Sequence, residues 1–211
     1  MPPPHLLRER LDAVLAVVYL IFNQGYGGRD ELAAEALWLG RALVEMLPDD
    51  SEVRGLVAMM LLHDSRREAR FRDGELVLLG DQDRSRWNTE QIAAGRAELD
   101  RALALGGRGS YVLQAAIASL HAEIPCDWAQ IAALYEELAR LTGSPVVELN
   151  RAIAVAETEG PEAGLRSRSP SSPIPFPTRT FGPAMNPSSD IEISHVTFPI
   201  TALLSRSSLN G

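Results

Sequence analysis

The chain has 211 residues, 45% hydrophobic and 23% charged, with a formal net charge of −8; this suits one soluble domain with a sizeable core and excludes wholesale disorder. The charge is uneven. Residues 1–165 hold 16 basic and 26 acidic residues, a net of −10, whereas 166–211 hold four Arg and two acids, so the first part is not expected to contact nucleic acid, because phosphate contacts need a basic surface.

Leu7, Leu11, Val14, Leu15, Val18 and Phe22 recur at helical spacing and predict a first helix. Its apolar run, Ala13 to Phe22, is ten residues, about half of the roughly 20 that cross a bilayer. The helix is therefore read as a core element rather than a membrane span. Glu9 and Asp12 stand where a signal peptide needs positive charge, so the expected location is cytoplasmic. Asn23 to Gly28 is turn-rich. Phe22 is expected in the core, and Gly25 is expected to supply a positive φ at the helix end. Asn23 and Tyr26 either cap locally or offer hydrogen bonds to a partner.

Asp30 is the expected N-cap of a second helix with the stripe Leu32, Ala36, Leu39, Leu43 and Leu47, stopped by Pro48. A third helix follows the Asp49-Asp50-Ser51 cap, with Val53, Leu56, Val57, Met60 and Leu61 inward, and runs out in the charged stretch Asp64 to Arg70. Residues 71–88 break the period and predict an irregular loop with a short strand. Three further helices follow: one carrying Ile92, Leu99, Ala102 and Leu103; one from Tyr111 to Ile124; one carrying Trp128, Ile131, Ala132, Tyr135, Leu138 and Ala139. A seventh starts at Ser144-Pro145 and is expected to bury Val146, Leu149, Ile153 and Ala156. Short turns between such helices indicate antiparallel hairpins stacked as a bundle or solenoid. Trp128, Ile131, Ala132 and Tyr135, with Gly160-Pro161 some 30 residues on, give a tetratricopeptide-like pattern whose second helix comes late. The fold class is thus all-α.

Glu162 to Leu165 opens another helix after Pro161 and runs straight into a different text: residues 166–211 contain 10 serines and 7 prolines, a density that argues for disorder. The expected domains are 1–165 and this low-complexity tail. The tail is read as out-of-frame or non-homologous sequence, with a genuine flexible tail as the alternative.

The densest polar constellation is Asp81, Asp83, Arg84, Arg86 and Trp87. Either its charges pair locally while Trp87 folds back as an anchor, or tryptophan and arginine together form a docking surface. His63, Asp64 and His121 lack HxxxH or HExxH spacing, so no metal site is expected. The single cysteine, Cys126, has neither a disulfide partner nor a neighbouring histidine that would make it a nucleophile. Without a phosphate loop or a nucleophile elbow, neither catalysis nor a cofactor is expected.

Leu11-Asp12-Ala13-Val14-Leu15 with Tyr19 to Tyr26, Leu61 to Arg66, Leu76 to Trp87, Gln114 to Ile117 with His121, and Leu149 to Ala154 form blocks in one order. In that order the chain resembles the tetratricopeptide-like C-terminal extension of ECF-type RNA polymerase sigma factors, over residues 3–165. Gln24 stands where that family more often has glutamate. The resemblance implies a non-catalytic regulatory module acting in transcription initiation, with RNA polymerase core or the sigma core domains as partners. It also implies that DNA-binding regions 2 and 4 would precede this segment and that further helices would follow Leu165, so the chain is expected to be a fragment unable to initiate transcription alone. A free-standing helical-repeat adaptor that binds a peptide is the alternative.

Overall fold

A computed structural model describes residues 4–26, 29–72 and 74–167. The described residues form an all-α fold with one small two-stranded sheet. In order come α1 (Pro4–Tyr26), α2 (Asp30–Met46), α3 (Ser51–Asp64), the single turn α4 (Arg67–Arg70), strands β1 (Phe71–Arg72) and β2 (Glu75–Leu76), two 3-10 turns (Leu79–Asp81 and Arg84–Arg86), α5 (Thr89–Ala104), α6 (Ser110–His121), α7 (Trp128–Thr142), α8 (Pro145–Glu159) and α9 (Pro161–Ser167). No helix among the described residues is long and apolar enough to cross a membrane. Apart from its first two residues, the sequence expectation for 166–211 lies outside the described residues.

The chain packs as successive hairpins around α3. Glu52, Val53 and all of Gly55 to Leu62 are buried, so α3 is covered on every side, as suits a helix apolar around most of its circumference. The expected inward stripe was therefore too narrow: Ala58, Met59 and Leu62 are buried as well. Asp50 caps α3 by accepting hydrogen bonds from the Glu52 and Val53 amides at 3.0 Å each. Two hydrophobic clusters result. The first joins α1, α2, α3, α5 and one flank of α6 through Leu15, Phe22, Leu56, Met60, Leu99 and Val112. The second joins the other flank of α6 to α7 and α8 through Leu113, Ile117, Ile131, Leu138 and Val147.

Several local expectations are corrected. Helix α1 continues through the turn-rich segment to Tyr26, and Gly25 is not among the positive-φ glycines. Its hydrogen side chain is needed for closeness, since a β-carbon there would stand 2.7 Å from the Cα of Ala33 in α2. Asp30 is the first residue of α2, and its cap position is Arg29, without a side-chain cap. In α2 the fully buried residues are Ala33, Ala36, Leu37 and Gly40, so the buried face is rotated from the expected stripe, and Leu47 is exposed. In α8 the buried residues are Val147, Asn150, Ala152 and Ala154, while Val146, Leu149, Ile153 and Ala156 are half-buried. Helix α6 stops at His121, leaving Ile124 exposed.

One cap was invisible in the sequence. Residue 109, at the cap position of α6, is glycine and has no side chain to offer. The buried carboxylate of Glu52, from α3, instead accepts hydrogen bonds from the amides of Tyr111 at 3.0 Å and Val112 at 3.3 Å. A negative charge at a helix N-terminus is also favoured by the helix dipole. A β-carbon at Gly109 would collide with that carboxylate.

Candidate interaction site

The excursion between α4 and α5 is fixed to the body by one polar clamp. Ser65 ends α3, its hydroxyl donating to the Leu62 carbonyl at 2.8 Å, while its own carbonyl accepts the Asn88 amide at 2.8 Å. This ties the two ends of the excursion together. Between them Trp87 folds inward to 6% exposure, with the Arg66 guanidinium 5.7 Å and the Arg84 guanidinium 4.6 Å from its ring centroid. Such cation–π contacts strengthen as they are desolvated, and Arg66 is only 5% exposed. The buried indole Nε1 of Trp87 has no hydrogen-bond partner among the described residues.

Arg84 carries the clamp across to α6. Its guanidinium donates to the carbonyls of His121 at 3.3 Å and Glu123 at 3.5 Å, the unsatisfied acceptors at a helix C-terminus. The ring of buried His121 meets Trp128, at the start of α7, edge to face at 5.4 Å. Arg96 of α5 reinforces the junction through Ser119 Oγ at 3.2 Å and the Ser119 carbonyl at 3.3 Å. Elements α3, α5, α6, α7 and the excursion thus meet around one set of aromatic and guanidinium groups.

The electrostatics follow from burial beside fixed positive charge. His121 is pushed down to about 4, first by desolvation and then by Arg66 and Arg84. His63, whose Nδ1 lies 2.8 Å from Arg66 Nη2, is lowered as well, by desolvation and then by Arg66, Arg70 and His121. Both imidazoles are neutral at neutral pH. The structure brings His63 and His121 into one neighbourhood although they lie on different helices, but a guanidinium beside both opposes a cation there. No group of three or more His, Cys, Asp or Glu among the described residues is placed to hold a metal ion.

The sequence candidates separate cleanly. Trp87 and Arg84 are structural members of the clamp. Asp83 serves the excursion itself, accepting from Ser85 Oγ at 2.7 Å and the Ser85 amide at 3.0 Å, and those two bonds lower its pKa. Asp81 and Arg86 are exposed; Arg86 stands 3.5 Å from the carboxylate of exposed Glu68. Asn23, half-buried, and Tyr26 sit on the last turn of α1 in the first hairpin, and the side chain of Tyr26 lies outside the described residues. Arg66 and His121 are clamp members that no local pattern marks as candidates. Arg66 has no sequence signal beyond the block Leu61–Arg66, and His121 has, besides the block that it closes, only the metal-ligand reading considered above.

Clamp and hairpins together define an all-helical scaffold that presents an anchored, charged loop. Residues 10–103 match a family of unknown function, DUF6596. An uncharacterized protein of Rhizobium meliloti (strain 1021) is 46% identical over 169 residues, covering 74% of this chain and 40% of that protein. The chain therefore spans well under half the length of the curated relative it matches. No solved structure matches the chain.

Proposed function

We propose that this helical array is a non-catalytic regulatory module of an ECF-type sigma factor, acting in transcription initiation through contacts with sigma core domains or RNA polymerase. The observation that carries the reading is the clamp. Three blocks on which the resemblance rests, Leu61–Arg66, Leu76–Trp87 and Gln114–His121, are far apart in the sequence, yet Arg66, Trp87, Arg84 and His121 meet in space. A partly buried anchor that holds exposed Asp81 and Arg86 in fixed positions is the arrangement expected of a docking loop, because its ordering cost is met before the partner arrives. The relative's greater length supports a module of a longer protein.

The test is capture of purified core RNA polymerase, and separately of sigma core domains, by the immobilised chain. Arg86→Ala should weaken capture by about tenfold with no change in melting temperature. Folded wild-type chain that captures neither partner would replace this reading with that of a helical-repeat adaptor.

A further inference from the structure

Helix α2 carries on its outer face the most exposed aromatic side chain among the described residues. Trp38 is 63% exposed, whereas Trp87 is buried and Trp128 half-buried; tryptophan is on average a highly buried residue, and an uncovered one is a favoured anchor for a partner. The core side of α2 is Ala33, Ala36, Leu37 and Gly40, and at 3.6 residues per turn Trp38 points away from it. Glu31, Glu35, Trp38, Ala42 and Glu45 follow one another at intervals of four, three, four and three, which makes one line of about 21 Å down the helix. That is the spacing along which a second helix packs. Ala34 and Ala42, one turn to either side, keep the floor low, so the indole stands out as a knob.

Charge decides what covers this knob. The exposed carboxylates of Glu31, Glu35 and Glu45 border it against the one guanidinium of Arg41, so the phosphates of a nucleic acid or an anionic membrane are repelled. A guanidinium suits both features, because it pairs with carboxylates and stacks on an indole face. A second copy of the chain does not fit. Glu31 and Glu45 lie seven positions to either side of Trp38, so two α2 helices meeting there antiparallel would set Glu31 against Glu45, and two meeting parallel would set each acid against its own counterpart. We propose that the outer face of α2 binds a basic, arginine-bearing helix of a partner protein, whose central apolar residue covers Trp38 while its arginines meet Glu31, Glu35 and Glu45. This face is separate from the clamp, and its partner is inferred without reference to the one proposed above.

The probe is a monomeric, alanine-based synthetic helix of about 18 residues, with a central Leu and Arg three, four and seven positions to either side, beside a twin that has Glu in place of Arg. Calorimetry on the full chain reads binding, and the indole N–H cross-peak of Trp38, assigned with Trp38→Ala, reads its place. The Arg helix should bind and shift the Trp38 peak while the Trp87 peak stays, and the Glu twin should not bind. Trp38→Ala, and Glu35→Arg combined with Glu45→Arg, should each weaken binding by about tenfold in chains that still melt as one folded species, and the charge-reversed chain should take the Glu twin instead. Glu157→Arg with Glu159→Arg, the same change of charge on exposed positions of α8, should bind the Arg helix as the unaltered chain does. The proposal is overturned if the Arg helix does not bind, if it leaves the Trp38 peak unmoved, or if the α8 reversal weakens it as much as the α2 reversal, which would be general attraction to an acidic chain. A Trp38 peak that moves with protein concentration in the absence of peptide would assign the face to a second copy and equally overturn the proposal.

Discussion

Arg84 and Arg86 share a 3-10 turn, but their surroundings give opposite expectations for substitution. Arg84→Ala removes a cation–π contact and two hydrogen bonds to the end of α6, and should cost about 1–2 kcal/mol of stability, read as a lower melting temperature. Arg86→Ala breaks only a long, exposed ion pair and should leave the melting temperature unchanged. The His121 imidazole, depressed to about 4, adds a pH signature. Between about 4 and the unfolded value near 6.5, the unfolded chain binds a proton that the folded chain does not, so stability falls as pH drops through that window. The full effect approaches about 3 kcal/mol. His63 acts in the same direction. In His121→Phe that component is absent, so the gap in melting temperature between wild type and variant should narrow from pH 7 to pH 4.5; a constant gap would show that the ring is not held neutral. At this scale the sequence marks Trp87 and Arg84 as notable and leaves their role open, because a tryptophan beside arginines reads alike as anchor or as docking surface. Burial of Trp87 supports the anchor reading, and that burial depends on Arg66 arriving from the turn between α3 and α4.

Among elements, helix spans were legible wherever apolar period and punctuation agreed. The expected cap Asp50 before α3 accepts from the Glu52 and Val53 amides and Pro145 opens α8 as expected, whereas Asn88 before α5 and Asp127 before α7 are caps that the pattern had not marked. What periodicity could not supply was the rotation of a helix about its axis. Small residues such as Ala33 and Gly40 let α2 approach its neighbours closely, which turns the larger leucines of the expected stripe toward the rim. The cap of α6 was equally hidden, since its acceptor lies more than fifty positions earlier, on α3. Glu52→Ala should therefore cost about 2–3 kcal/mol, leaving two amides without their acceptor, and should speed exchange at Tyr111 and Val112 first. Gly25→Ala should destabilise by about 1–3 kcal/mol through collision with α2. A left-handed glycine would instead tolerate Asn at that position, so Gly25→Asn separates the two accounts: it is no milder than Gly25→Ala if closeness is what matters.

Across the whole molecule, the all-helical class was readable from the apolar period, and the α1–α2, α7–α8 and α8–α9 hairpins from the short turns between neighbours, whereas the packing of α3 against α5 and α6, which are not its neighbours in sequence order, was not. Nor was the clamp, because its members lie on segments whose meeting requires the stack to have formed. The two hydrophobic clusters share α6, with Val112 and Ala115 turned to the first and Leu113 and Ile117 to the second, while the clamp bolts the ends of α3 and α6 together. Hairpin arrays often melt piecemeal, each unit answering only to its neighbours. Here loss of either half strips one wall from the other, so denaturant titrations followed by Trp fluorescence and by far-ultraviolet circular dichroism should superimpose on one sigmoid. A force applied at α1 would then be borne by α9, making the array behave as a stiff lever rather than a string of beads.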